Sequence, residues 1–380
     1  MAARTLDVLP VDPADPAAIL PALEEAIAGL ATWLPTPTND PHRAELLRST
    51  QRVGTDIDPE IAVVVGTSGS TGTPKGAQLT AANLVASADA THQVLGGEGH
   101  WLLAMPAHYI AGLQVLVRSL VAGVDPYCLD LSRGFNVAEF ARGARELAAT
   151  GDRVYTSLTP MQLMKAMDTL QGIDALRSFD AILVGGAALR SQTRGAAERL
   201  GIRVVTTYGA SETAGGCVYD GRPLPGARVE LGDQGRIVLG GPTIAAGYRN
   251  VPAHPSFSRA GWWATSDAGE IDAAGNLVVN GRLDQVIDTG GLKLHPEVLE
   301  RELLKVDRVR QACVVGTPHP RYGQAVVAAY VGQAEPAELY AALEGLPRWQ
   351  WPKDVRRVDE LPLTATGKVD RHRVAQFWQN

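Results

Sequence analysis

The sequence predicts an α/β protein built on parallel-rich sheets, and three observations support this prediction. Between residues 61 and 207, short apolar runs alternate with helical segments, a pattern typical of βαβ units whose helices cover both faces of a parallel sheet. From about residue 217, short strand-like pieces follow one another between glycines and turn residues, which predicts a small β-rich subdomain. After Arg282 the pattern is mixed again and predicts a small α+β domain.

Elements can be assigned along the chain. Apolar side chains at helical spacing predict an amphipathic helix over 16–34, and Pro35, Pro37 and Pro41 predict a loop after it. The strands predicted in the first α/β part are 61–65, 101–104, 127–131, 153–157, 181–184 and 204–207. The helices between them are predicted near 80–95, 110–122, 136–149, 159–170 and 189–200.

The β-rich part and the C-terminal part follow. Strand-like pieces are predicted at 218–231, 235–239, 262–265, 270–272 and 277–279. The last part is predicted to hold helices near 296–305 and 336–344 and strands at 309–315 and 325–331. We therefore predict a large N-terminal domain (1–283, β-rich over about 217–282) and a small C-terminal domain (284–380).

Composition narrows the class of protein. The chain has 380 residues, 45% of them apolar and 20% charged, as in globular proteins of two or three domains. A net charge of −6 argues against a nucleic-acid partner. Three scattered cysteines indicate no disulfide framework and favour the reducing cytoplasm. No signal peptide is recognisable, and no apolar run approaches the roughly 18 residues of a membrane span.

A glycine-rich stretch, Val65 to Gly76, stands directly after the first strong strand prediction. It combines four glycines with several hydroxyl side chains and Lys75. Successive backbone N–H groups in such a bend can bind a phosphate, and hydroxyls and a lysine can complete the site. It is not a Walker loop, because Gly72 is followed by Thr73 and a proline rather than by Lys and Ser or Thr. The alternative is a flexible surface loop.

Other polar stretches follow predicted strand ends, where open α/β sheets bind ligands. These are Met105–Gly112, which contains His108, Gly185–Ala187 and Thr206–Thr213. Later in the chain come Trp263–Asp267, Asn280–Asp284, Asp288–Glu297 and Leu361–Arg371. Taken singly, each of these could be an ordinary loop, a turn, a helix cap or a solvated charge.

Together these motifs resemble the adenylate-forming superfamily of acyl-CoA synthetases, luciferases and peptide-synthetase adenylation domains. The glycine-rich stretch matches its Thr-Ser-Gly-Ser/Thr-Thr-Gly-x-Pro-Lys-Gly signature, and 362–371 fills every position of Pro-x-Thr-x-x-Gly-Lys-[ILV]-x-Arg. The motifs occur in the family's order over about 61–371. One departure is Ser266, where the family usually has Gly before the acid. The resemblance implies that a carboxylic acid is adenylated by ATP with Mg²⁺, and that coenzyme A then displaces AMP.

The resemblance also implies roles for individual residues. Lys368 would bridge the acid and the α-phosphate, Glu212 would hold Mg²⁺ and His108 would line the acyl pocket as a catalytic-site residue. Asp284 would be the hinge of a mobile C-terminal domain, with Gly290, Gly291, Leu292 and Lys293 beside the coenzyme A tunnel. The residues implied for ATP or AMP are Thr67, Ser68, Gly69, Ser70, Thr71, Lys75, Gly185, Gly186, Ala187, Thr207, Tyr208, Gly209, Ser211, Asp267 and Arg282.

The acid substrate is harder to infer. No aspartate occurs in 105–112, which disfavours an amino acid, because its ammonium group needs a carboxylate partner. The chain is most similar to compact o-succinylbenzoate–CoA ligases of menaquinone biosynthesis, chiefly over 211–221, and this implies a dicarboxylate. The candidates for binding the second carboxylate are His108, Thr156, Ser157 and the backbone of Gly215 and Gly216. Arg118 is a further candidate, although its predicted helix makes a surface role equally plausible.

Alternatives stay open at this point. The chain could be another aryl- or acyl-CoA ligase, or a stand-alone enzyme that loads a carrier protein. It could also be a non-catalytic nucleotide-binding protein, although the presence of Lys368 and Glu212 argues against this. A homodimer is expected, with no nucleic-acid partner and no membrane insertion.

Overall fold

The computed structural model describes residues 4–67, 73–363 and 369–378. The chain divides into two compact units. Of the described residues, the first unit holds those up to Glu230 together with Val238–Ala264 and Ala273–Leu277. The second holds Leu231–Ile237, Thr265–Asp272 and the described residues from Val278 onward. No helix in the described ranges is long and apolar enough to cross a membrane.

The strands up to residue 223 belong to the first unit. In chain order they are β1 (Arg4–Thr5), β2 (Asp7–Val11), β3 (Trp33–Pro37), β4 (Asp56–Ile57), β5 (Ile61–Gly66), β6 (Gly76–Thr80), β7 (His100–Leu103), β8 (Tyr127–Cys128), β9 (Val154–Leu158), β10 (Ala181–Val184), β11 (Val204–Ala210), β12 (Gly215–Tyr219) and β13 (Arg222–Pro223).

The later strands cover the β-rich stretch and the second unit. They are β14 (Arg228–Leu231), β15 (Arg236–Gly240), β16 (Gly247–Tyr248), β17 (Trp262–Ile271), β18 (Leu277–Arg282), β19 (Ile287–Thr289), β20 (Leu292–Leu294), β21 (Val309–His319), β22 (Gly323–Gly332) and β23 (Asp354–Arg357).

The α-helices alternate with these strands. They are α1 (Leu20–Ile27), α2 (Pro41–Thr50), α3 (Ala81–Leu95), α4 (Ile110–Ala122), α5 (Val137–Ala148), α6 (Pro160–Met167), α7 (Leu170–Arg177), α8 (Ser191–Arg199), α9 (Pro296–Leu303), α10 (Pro336–Ala342) and α11 (Arg371–Ala375).

The sheet that matters most for the site has seven strands in the order β13-β12-β11-β10-β9-β7-β8. Its strands from β8 to β11 are parallel neighbours, whereas β12 and β13 are antiparallel. A five-stranded sheet in the order β16-β6-β5-β3-β2 carries the glycine-rich stretch between β5 and β6. Alternating strands and helices therefore confirm the predicted α/β class.

The remaining strands form smaller sheets. A four-stranded sheet has the order β14-β15-β17-β18. In the second unit, β20, β19, β22 and β21 lie in that order, and β23 pairs with β22. The long antiparallel pair of β21 and β22 is the framework of the second unit, with buried side chains such as Val314, Val326 and Tyr330 packed between the sheet and its helices.

The proline-rich stretch near the N-terminus was predicted wrongly. Trp33–Pro37 is a strand rather than a loop, and it pairs in parallel with β2. Proline has no backbone N–H and cannot donate a hydrogen bond to a neighbouring strand. The pairing of β3 with β5 involves only Trp33 and Val63. The prolines of β3 are therefore tolerated, because β5 needs no hydrogen bond from them. The predicted helix is also shorter, since α1 ends at Ile27 after a 3₁₀ turn at Pro16–Ile19.

Other boundaries differ by smaller amounts. The predicted strand over 127–131 is only Tyr127–Cys128, and the helix predicted near 159–170 is followed by a separate helix, α7. Strand β17 runs through the gap between two predicted strands. The helix α7 had no counterpart in the prediction.

The three cysteines are free thiols. Cys217 and Cys313 are buried and Cys128 is half-buried. Burial raises the pKa of each thiol to about 12. The thiolate form is therefore scarce at neutral pH.

Candidate active site

The carboxyl ends of β10 and β11 bring two of the predicted motifs together. These strands are parallel neighbours with Val184 opposite Thr206, so Gly185–Ala187 and Thr207–Ser211 leave the sheet at the same edge. A Cβ on Gly185 would lie 2.2 Å from the Thr207 hydroxyl oxygen, which shows how closely the two stretches approach. Tyr208 belongs to β11, and Ser211 opens the 3₁₀ turn that follows it.

The backbone at this edge depends on glycine. A Cβ on Gly209 would lie 2.1 Å from the carbonyl oxygen of Gly215, so only glycine permits this pairing of β11 with β12. The Thr213 hydroxyl donates to the same Gly215 carbonyl at 2.6 Å, and it accepts from the Ala210 N–H. The turn that carries Ser211 and Glu212 is thus held at both ends.

Glu212 is a buried carboxylate with a specific partner. Only 7% of the residue is exposed, and the Tyr248 hydroxyl donates to its Oε1 at 2.6 Å. Burial and the neighbouring Glu212 charge raise the pKa of Tyr248, so the phenol stays protonated and remains a donor. No motif in the sequence pointed to this partner, which lies 36 positions from Glu212.

The exit of the glycine-rich stretch is tied to β16 and the segment after it. Thr67 and Lys75 exchange hydrogen bonds, since the Thr67 N–H donates to the Lys75 carbonyl and the Lys75 N–H donates to the Thr67 hydroxyl. The Asn250 amide donates to the Pro74 carbonyl at 3.0 Å. The Lys75 Nζ lies 2.9 Å from Nε2 of His254 and 5.0 Å from the centre of the Tyr248 ring. Ser68, Gly69, Ser70 and Thr71 lie outside the described residues.

His108 stands between β7 and α4, as the motif predicted. Burial, and secondarily the Arg43 charge, lowers the pKa of His108 to about 4. Its ring packs 4.1 Å from that of Tyr109. Because the imidazole is neutral at pH 7, His108 can line a pocket and form hydrogen bonds, but it does not supply the positive charge that a second carboxylate would need.

Arg118 on α4 is buried, so the surface role that the sequence left open for it is wrong. Only 3% of the residue is exposed, and the guanidinium lies 4.7 Å from the centre of the Trp101 ring. No ion pair between described residues includes it, and its Nε is buried without a hydrogen-bond partner there. Burial lowers its pKa, yet arginine stays charged at neutral pH.

Two further buried polar atoms, one on α4 and one on α3, also lack a hydrogen-bond partner among the described residues. They are Oε1 of Gln114 and Nδ1 of His92. Gln114 lies four residues before Arg118, on the same face of α4. Each such buried polar atom costs about 1–3 kcal/mol if it stays unpaired, so this face is suited to a polar ligand.

The other candidates for the acid pocket differ in their surroundings. A Cβ on Gly215 would lie 3.4 Å from the Gln114 side chain, so Gly215 is next to the polar face of α4. Gly216 instead approaches Thr207 and Tyr219. The Thr156 hydroxyl donates to the Leu102 carbonyl at 2.9 Å within the sheet, and Ser157 is 6% exposed. The roles of these residues remain predictions.

The second unit holds another group of predicted residues. Arg282 forms a bidentate pair with Asp284 at 2.8 and 2.6 Å, and its Nη1 lies 3.9 Å from Oδ1 of Asp267. Asp267 is partly exposed on β17. The predicted ribose acid, its neighbouring arginine and the predicted hinge residue are therefore in one cluster, which the sequence placed in two separate motifs.

The predicted coenzyme A loop is the turn between β19 and β20. Gly290 and Gly291 have φ values of 67° and 83°, a conformation that favours glycine. The Gly291 N–H donates to the Asp288 carboxylate at 2.9 Å. Leu292 and Lys293 are exposed on β20, and Pro296 opens α9. Lys368, together with 364–367, lies outside the described residues.

Comparison with known protein families matches residues 12–249 to "AMP-binding enzyme" and residues 298–368 to "AMP-binding enzyme C-terminal domain". The chain belongs to the AMP-binding enzyme family. The first match covers the strand-end motifs and the glycine-rich stretch of this family, and the second ends at Lys368. The resemblance inferred from the motifs is therefore confirmed.

Relatives within the family carry a consistent name. A protein of Mycobacterium tuberculosis, described as "Probable 2-succinylbenzoate--CoA ligase", is 44% identical over 363 residues, which cover 93% of this chain and 94% of that protein. A "2-succinylbenzoate--CoA ligase" of Geobacillus sp. is 31% identical over 351 residues, covering 84% of this chain and 70% of that protein.

Solved structures of the family share the fold. The Bacillus subtilis o-succinylbenzoate CoA synthetase in complex with the acyl-adenylate OSB-AMP gives a TM-score of 0.82 at 22% identity, covering 98% of this chain and 88% of that one. The Escherichia coli enzyme with an analogue bound gives 0.77 at 23% identity, covering 100% and 89%. These matches confirm the predicted α/β fold, with its large N-terminal and small C-terminal parts.

Proposed function

We propose that this chain is an AMP-forming 2-succinylbenzoate–CoA ligase that acts in menaquinone biosynthesis. One observation carries the proposal, namely the 44% identity that extends over 93% of the chain to a relative of that name. The chemistry has two steps. A substrate carboxylate oxygen bonds to the α-phosphorus of ATP as pyrophosphate leaves, and the coenzyme A thiol sulfur then bonds to the acyl carbon as AMP leaves and the thiol proton is lost.

The residues of the chain would act by positioning and by electrostatics. Negative charge builds on the oxygens of the α-phosphate during the first step, so the barrier falls when cations and N–H donors are aimed at them. We assign this task to Lys368, to Ser211 and to the glycine-rich stretch with Lys75. The substrate carboxylate is itself the nucleophile, so no protein nucleophile is required.

Glu212 fits a magnesium site. Its carboxylate is buried at the strand edge and oriented by Tyr248, and Mg²⁺ commonly takes one or two protein carboxylates with phosphates and water. The described residues contain no cluster of three or more His, Cys, Asp or Glu side chains suited to a metal. Bound with ATP, the ion would neutralise phosphate charge, and Glu212 would be its protein ligand.

The second carboxylate of the acid substrate would be bound at the polar face of α4. Arg118 is a buried cation whose Nε lacks a partner in the described part of the chain, and Gln114 beside it is next to Gly215. A carboxylate would supply the acceptor and the opposite charge that Arg118 lacks. Neutral His108 would contribute to the wall of the pocket rather than to its charge.

The proposed function is tested by pyrophosphate release over a panel of acids, with and without coenzyme A. We expect release with 2-succinylbenzoate, and coenzyme A should accelerate turnover. Release with benzoates or fatty acids but not with 2-succinylbenzoate would contradict the substrate and leave another acyl-CoA ligase. Turnover that does not depend on coenzyme A but requires a carrier protein would favour the alternative of a carrier-loading enzyme. If no acid caused pyrophosphate release, the proposal that the chain is an adenylate-forming enzyme would be wrong.

Tyr248→Phe is expected to lower the rate of adenylate formation by about 10-fold or more, because a hydrogen bond to a charged group contributes about 1.5–3 kcal/mol. The loss should be accompanied by a higher Mg²⁺ requirement and by weaker Mn²⁺ binding to the enzyme–ATP complex in electron paramagnetic resonance. Tyr340→Phe removes a tyrosine hydroxyl from the second unit, where it donates to the Pro352 carbonyl, and serves as the control. Unchanged Mn²⁺ binding in Tyr248→Phe would contradict the orienting role of the phenol.

The assembly and the compartment are further parts of the proposal. We infer a cytoplasmic homodimer that acts on small molecules only. Sedimentation at micromolar concentration tests the dimer, and cell fractionation tests the compartment.

A further inference from the structure

An ion pair joins two residues that lie far apart in the sequence, Arg371 and Glu300. Both terminal nitrogens of Arg371 bond to the two carboxylate oxygens of Glu300 on α9, with 2.9 Å for the Nη2 contact. The two residues are 71 positions apart. The Glu300 side chain is 14% exposed and the Arg371 side chain 23%. Glu297 lies 3.6 Å from the same guanidinium.

The pair is also bonded to the central sheet of the second unit. The Val314 N–H on β21 donates to Oε1 of Glu300 at 2.7 Å, and Nη1 of Arg371 donates to the Val314 carbonyl at 2.7 Å. Three parts of the unit, α9, β21 and the start of α11, therefore meet at one guanidinium. A bidentate arginine–carboxylate pair fixes orientation as well as distance.

This junction lies at the base of the segment that contains Lys368. Leu363 and Val369, the described residues on either side of that segment, form an antiparallel bridge. The Asp370 N–H donates to the Pro362 carbonyl at 2.8 Å, and Arg371 follows immediately. The two ends of the segment are thus paired with each other, and Arg371 attaches this base to α9 and β21.

We propose that Arg371 and Glu300 are positioning residues for the adenylation step, because their ion pair fixes the base from which Lys368 acts. The inference rests on the proposed function and deepens it. A catalytic group misplaced by about 1 Å can lose about 10²-fold in rate, so a fixed base matters to the step that uses Lys368. The thioester step, for which Lys368 is not assigned a role, should be insensitive to it.

Arginine is required here for its shape as well as its charge. Lysine presents a point charge on a flexible stem and cannot form two parallel bonds to one carboxylate. Arg371→Lys therefore keeps the charge in the buried network while removing the orientation, and Glu300→Gln keeps the shape of the acceptor while removing its charge. Both substitutions avoid the larger damage of leaving a buried charge without any partner.

The test measures the two half-reactions separately. We expect Arg371→Lys to slow adenylate formation, followed by ATP–pyrophosphate exchange, by about 10–100-fold, and thioester formation from supplied acyl-adenylate by less than about 3-fold, well under the tenfold that 1.4 kcal/mol would cause. Glu300→Gln should behave alike. Arg373→Lys, an exposed residue two positions on, is the matched control and should leave both steps unchanged.

A second measurement does not depend on activity. Hydrogen exchange of the peptide that spans 361–371 should be faster in Arg371→Lys than in the parent chain, while exchange in β5 and β11 stays the same. Equal loss of both half-reactions with a lower Tm, or unchanged exchange in this peptide, would overturn the proposal. If the parent chain forms no adenylate from any acid, the proposed function is wrong. The positioning proposal is then wrong as well, even if the exchange data show that the ion pair holds the 361–371 peptide in place.

Discussion

Replacing Lys368 with alanine is expected to lower acyl-adenylate formation by about 10²–10³-fold, the typical cost of removing one aligned donor from a developing charge. Thioester formation from supplied acyl-adenylate should be largely spared, because AMP is already bonded to the acid when coenzyme A attacks. Quenched-flow assays of the two half-reactions measure both rates. Lys353→Ala, an exposed lysine of the same unit, serves as the control.

Equal loss of both half-reactions in Lys368→Ala would contradict this division of labour. It would mean that the lysine contributes to a step common to both, or that the C-terminal domain uses one orientation for both reactions. Retention of adenylate formation would contradict the assignment of Lys368 itself. The corresponding change at Lys75 should have the smaller effect, since its predicted partners are the β- and γ-phosphates, which are not where the new bond forms.

Arg118→Met is expected to reduce kcat/KM for 2-succinylbenzoate by about 10²–10³-fold. Without the cation, the second carboxylate of the substrate would be buried without a partner, at a cost of about 3–5 kcal/mol. Activity toward 4-oxo-4-phenylbutanoate, which lacks the ring carboxylate, should change much less. Steady-state kinetics with the two acids measure the change in preference.

The stability of the same variant makes the prediction sharper. Arg118 is a buried charge with no carboxylate partner among the described ion pairs, so an apolar side chain of similar length should leave Tm unchanged or raise it. Arg142→Met removes an exposed arginine, 64% accessible, and should alter neither preference nor Tm. A large fall in Tm with equal loss toward both acids would show that Arg118 serves the core rather than the substrate.

Sequence patterns predicted the parts of this molecule that depend on neighbouring residues. The alternation of apolar runs and helices identified β5, β7, β10 and β11, and the strand-end motifs placed Glu212 and Gly185 at the edge of a parallel sheet. Such features are local, because turn chemistry and helical spacing are visible within about ten residues. Trp33–Pro37 was missed for the same reason: its prolines argue for a loop, and only pairing with β2 makes it a strand.

Pairings between distant residues were beyond these patterns. The hydrogen bond from Tyr248 to Glu212 and the ion pair of Arg371 with Glu300 each join residues that are far apart in the chain, and no periodic pattern in the sequence predicts such pairings. Whether Arg118 faces solvent or the interior depends on which side of α4 packs against the sheet, and α4 is apolar around much of its circumference. Isolated cations are seldom buried, so only the structure could show that Arg118 lies in the interior.

The buried cysteines have a consequence for chemical selectivity. An acyl-adenylate is an activated ester that any nearby thiolate could capture, and the proposed acceptor is itself a thiol. Cys217 follows directly after Gly216 in β12, close in the chain to the turn that carries Glu212. With their pKa values raised to about 12 by burial, Cys217 and Cys313 remain protonated and poorly nucleophilic at neutral pH. Neither thiol is therefore a ready nucleophile toward an acyl-adenylate, in contrast to the coenzyme A thiol of the proposed second step.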